Sequence, residues 1–127
     1  MSQPAPQAAL LTLMRDSDRG PKREGLFALW LALRVAEDQA DGAFPERAHR
    51  RRVSALEKRL TSLSMPAPLR RGLLAALTDL KAGTTDGASQ ALARLAAPAR
   101  DSLGAEAGEA VHRAARRVAA TLQPRYR

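Results

Sequence analysis

Residues 25–36, GLFALWLALRVA, constrain this chain more than any other stretch. They form its densest apolar run and hold its single tryptophan. At about 100° per residue, Leu26, Leu29, Trp30, Leu33 and Ala36 fall on one side of a helix, and Phe27, Leu31 and Val35 fall almost opposite. Only Arg34 breaks the ring. A helix apolar nearly all round must be covered on more than one face, so other segments have to pack around it. The sequence therefore predicts an all-α fold. It is expected to be a single-domain bundle over 1–127 of about five helices, connected up and down, with the 24–40 helix central.

The punctuation divides the chain accordingly. Residues 9–14 predict a short helix, stopped by Gly20-Pro21. The central helix follows over about 22–40, and residues 41–45 close it. Pro45 suits the first turn of the next helix and Glu46 the positive end of its dipole. That helix, to about Leu63, has an inward seam of His49, Val53, Leu56, Leu60 and Leu63. A helix over 67–82 buries Leu69, Leu73, Leu74, Leu77 and Leu80. After Gly83 and Gly87 comes one with Ala88, Leu92, Leu95 and Ala99 inward, kinked or split at Pro98. The last, over 105–122, packs Ala107, Val111, Ala114, Ala115, Val118 and Leu122. Its Ala-rich seam buries less area per residue, so the C-terminal part is expected to be the less stable half. Residues 1–9 and 123–127 are expected to fray. No strand-like alternation appears.

Composition narrows the function classes. There are no cysteines, which removes disulfides and thiolate metal sites. The N-terminus lacks the positive region of a secretory signal, and the apolar stretch meets Arg34 too soon to span a bilayer. The expectation is a cytoplasmic protein with no membrane partner. The formal charge is +8, which favours an anionic partner, nucleic acid or an acidic protein surface. The chain also has no Ile, no Asn and only three Lys, the mark of GC-rich coding, so arginine excess by itself carries half that weight. What counts is where the arginines sit.

Two helix faces collect them. Arg47, Arg51 and Lys58 project opposite the His49–Leu63 seam, flanked by Arg50, Arg52 and Arg59. Arg113, Arg116 and Arg117 project opposite the Val111 seam, with no acid from residue 110 onward. Guanidinium forks bind phosphate bidentately, so these six are the expected nucleic-acid contacts, forming one groove if the two helices are neighbours. The bland account pairs the first set with Glu46 and Glu57 and gives the second to the helix dipole. Arg125, Tyr126 and Arg127 form a basic tail. No exposed Asn or Gln marks base-specific readout, so binding should follow the backbone.

Other chemistry finds little footing. Glu46–His49 and Glu109–His112 are two Glu-x-x-His pairs, a spacing used by di-metal carboxylate bundles, but Glu109 and His112 face away from their helix's seam. Glu37, near the end of the central helix, is expected to seek a cation, Arg52 or His49. No serine has a His–acid pattern nearby, and no glycine-rich phosphate loop exists. The expected function is non-enzymatic: a small basic helical subunit contacting nucleic-acid backbone in a larger assembly. No cofactor, metal or small-molecule substrate is expected. The alternative is a protein–protein adaptor or homo-oligomer that uses the stripe Phe27, Leu31, Val35, unless the N-terminal helix covers it.

Overall fold

The computed structural model describes residues 4–40, 46–83 and 85–121. Within them run six helices: α1 (Pro6–Arg15), α2 (Pro21–Ala40), α3 (Glu46–Ser62), α4 (Ala67–Lys81), α5 (Thr85–Leu103) and α6 (Ala105–Thr121). No strand occurs among the described residues. The all-α class stands, but the helices number six rather than five. The expectations for the 41–45 turn, for Leu122 and for the Arg125–Tyr126–Arg127 tail lie outside the described residues.

The N-terminal helix, expected over 9–14, begins at Pro6. Pro6 opens α1 at its first turn, where the missing N–H removes no hydrogen bond and the fixed φ is already helical. Residues 6–9, expected to fray, are therefore helical. Pro6 and Leu10 are buried, and α1 lies against α2 and α6.

Nor does Pro98 split α5, which continues through it to Leu103. Its ring instead packs on Gly72 of α4, where an added Cβ would stand 2.9 Å from Pro98 Cγ.

Helix α2 touches all five other helices, and Leu26, Ala28, Leu29, Ala32, Leu33, Val35 and Ala36 along it are buried. It is not the sole organising centre, because the most extensive pairing is between α5 and α6. Small side chains make that closeness possible. Ala107, Ala110, Val111 and Ala114 of α6 and Ala91, Leu95 and Ala99 of α5 are fully buried. The connection is one residue, Gly104, with φ of +105°, a conformation that favours glycine. At Gly108 a Cβ would stand 2.7 Å from Arg100 Cβ and 3.1 Å from Arg100 Cα, so α6 rests on the backbone of α5.

Gly108→Ala is accordingly expected to destabilise by up to about 2 kcal/mol. The alanine gains about 1 kcal/mol of helix propensity but overpacks a backbone contact at about 1–3 kcal/mol. A urea midpoint equal to or above wild type would show that α5 yields.

One further detail differs from the sequence reading. Leu74 is 43% exposed, because it sits about 100° off the buried row Leu69, Leu73, Leu77, Leu80. His49 is buried, and its Nε2–H donates to the Leu80 carbonyl at 2.8 Å. That bond ties α3 to a last-turn carbonyl of α4, which also accepts the Gly83 N–H at 3.1 Å.

Candidate anion-binding surface and the neighbouring groove

Helix α3 rests on α2 and α4 and on no other helix. Its seam of His49, Val53, Leu56 and Leu60 is buried, which turns the opposite side outward. There Arg47, Arg50, Arg51, Ser54 and Lys58 are all exposed and, with Ala55, line one open depression. At about 100° per residue, Arg47, Arg51 and Lys58 fall within an arc of about 40°, over about 16 Å of helix.

Arg47, Arg50, Arg51 and Lys58 make no ion pair with any described side chain; the side chain of Glu46 lies outside those described. Glu57, a candidate to neutralise them, turns to Lys81 of α4 at 3.2 Å. Three arginines elsewhere are engaged within the fold. Arg52 meets Asp38 at 2.8 Å, and Arg94 meets Asp79 at 2.6 Å. Arg70 donates to the Leu60 and Leu63 carbonyls at the end of α3.

The second basic face fares differently. Arg113 is half-buried, and its Nη1 donates to the Pro4 carbonyl at 2.6 Å. Arg117 reaches Glu37 at 3.4 Å. Only Arg116 of the three is exposed without an ion pair among the described residues. Moreover α3 and α6 share no contact, and α2 touches both. The single groove joining the two faces is therefore not formed.

Glu37 takes neither Arg52 nor His49. It is buried and held by Gln7 Nε2 of α1 at 3.1 Å and by Arg117 of α6. Successive residues point about 100° apart on a helix, so Asp38 beside it faces α3 and holds Arg52 instead.

The stripe Phe27, Leu31, Val35 is flanked by α3 rather than by α1. Val35 is buried, while Leu31 and Phe27 are half-buried. Between the two helices lies a groove of about 330 Å³. Leu31, Val35, Ala55 and Leu56 line its floor, and Arg34, Arg52 and Arg59 line its rim. Beside it Phe27 and Trp30 stack at 6.1 Å between centroids. The Arg59 guanidinium lies 5.0 Å over Phe27, and that of Arg34 lies 5.5 Å over Trp30. The sequence reading missed this rim. Its one local signal is the i, i+4 spacing of Trp30 and Arg34, which places a cation over a ring on a helix.

Among the described residues no three His, Asp or Glu side chains gather as metal ligands would. None of the described helices is long and apolar enough to cross a membrane. No family model, no curated protein and no solved structure matches the chain.

Proposed function

We propose that this chain is a non-enzymatic binding protein whose α3 face holds the phosphate backbone of nucleic acid. The supporting observation is the set Arg47, Arg50, Arg51 and Lys58: exposed, on one helix, with no carboxylate engaging any of them among the described residues. A row of cations about 16 Å long, without an ion pair to any described side chain, spans the rise of about five base pairs. The depression offers one hydroxyl, Ser54, and no amide side chain to pair with adenine, and its cations are assigned to phosphate.

The test is fluorescence anisotropy on labelled duplex and single strands of unrelated sequences. Four phosphate contacts to duplex give a slope of about −3.6 in log affinity against log salt, a loss on the order of 100-fold between about 50 and 200 mM. Different sequences should bind alike. An affinity indifferent to salt, or a strong preference for one sequence, overturns the assignment.

A further inference from the structure

We propose that the groove between α2 and α3 docks an acidic amphipathic helix of a partner protein. The groove adjoins the outer face of α3, with Ala55 lining both, but the cations of that face lie outside it and the inference does not depend on nucleic-acid binding.

The floor fixes the kind of side chain accepted. Leu31, Val35 and Leu56 present aliphatic surface, and Ala55, small and exposed, leaves a gap between the larger side chains of α3. The stripe from Phe27 to Val35 runs about 12 Å, a little over two helical turns. That length accepts apolar anchors at i, i+4 and i+7 of a helix laid in a groove. The rim fixes the charge. Arg34 of α2 and Arg59 of α3 flank the apolar strip, one from each helix, while Arg52 is held by Asp38, so carboxylates beside the anchors find guanidinium partners on both sides.

The same observations disfavour two other occupants. A second copy joined through this groove about a two-fold axis would set these arginines against their own counterparts, in a chain of net charge +8. A nucleic-acid strand needs open ring faces for its bases, yet the Phe27 and Trp30 rings each already carry a guanidinium.

Trp30 is the only tryptophan and stands beside the groove, so it reports directly on occupancy. The probe is a synthetic helix of about 18 residues with leucines at i, i+4 and i+7, flanking glutamates and no aromatic residue. It is expected to shift Trp30 emission saturably, with a dissociation constant on the order of micromolar. The same peptide with lysines for glutamates is expected to bind at least about tenfold more weakly. The pair Arg34→Glu and Arg59→Glu should weaken the acidic peptide by about tenfold or more. Ala55→Glu, at an exposed position, should do the same if that pair perturbs folding. Arg47→Glu with Arg51→Glu, outside the groove, should leave peptide affinity within about twofold while weakening nucleic acid. Equal binding of acidic and basic peptides, no saturation by the acidic one, or a Trp30 response to an oligonucleotide alone overturns the proposal.

Discussion

Leu29→Ala is expected to destabilise the chain by about 3–4 kcal/mol. Leu29 is fully buried on α2, the helix that touches every other one. Truncation there loses the transfer free energy of the removed atoms and leaves a cavity lined by helices held in place from several sides. Such sites collapse poorly, which places the loss in the upper part of the usual range of about 2–5 kcal/mol. Against a total stability of about 6–19 kcal/mol for a chain of this length, the fall is large. Leu31→Ala, two residues away but half-buried at the groove, should lose only about 1 kcal/mol. Urea midpoints at unchanged m-value read the difference. Equal losses at the two positions would mean that the Leu31 side of α2 is covered as completely as the Leu29 side.

Reversing charge at Arg47, Arg51 and Lys58 together is expected to reduce nucleic-acid affinity on the order of 10²–10³-fold at about 0.1 M salt. Each lost phosphate contact forfeits the release of about 0.9 counterion on duplex DNA, roughly eightfold per contact at that concentration. The salt slope should flatten from about −3.6 towards about −0.9, the share left to Arg50. The fold should survive. All three side chains are exposed, and glutamates at 47 and 51 fall in the N-terminal half of α3, whose first turn the dipole makes favourable to anions. Exposed substitutions of this kind change stability by about 0.5 kcal/mol or less. Reversal at Arg113 and Arg117 serves as the contrast. Those residues hold Pro4 and Glu37, so their loss should be read mainly in stability and little in affinity. A triple variant that binds as wild type does removes the α3 face from the function.

What the sequence made legible is what helical period governs. The seam His49, Val53, Leu56, Leu60 is buried as its spacing requires, and Arg47, Arg51 and Lys58 face outward because they lie opposite it. Period tells which way a residue points and says nothing of which helix stands there. So the meeting of the α3 and α6 basic faces could not be read, nor could the choice of Arg117 by Glu37. Arg113 looked available because nothing local shows α1 folding back to offer a backbone carbonyl. The same blindness hid the groove, whose rim takes Arg34 from one helix and Arg59 from another. Leu74 was misplaced for a simpler reason: an apolar residue at the flank of a buried row is covered only if a neighbour happens to reach it.

The bond from Arg113 to the Pro4 carbonyl spans 109 residues of chain. During synthesis at about 5–20 residues per second, that separation is roughly 5–20 s. Helix α1 leaves the ribosome before all the others described, yet one of its two docking partners, α6, is made after them. The pair joined at Gly104 can close within moments of being made, whereas α1 must wait for the translation of every helix between. The side it turns to α6 stays open for that interval, while α2 can cover the other as soon as it is made. The nascent protein therefore carries one half-docked helix until α6 emerges.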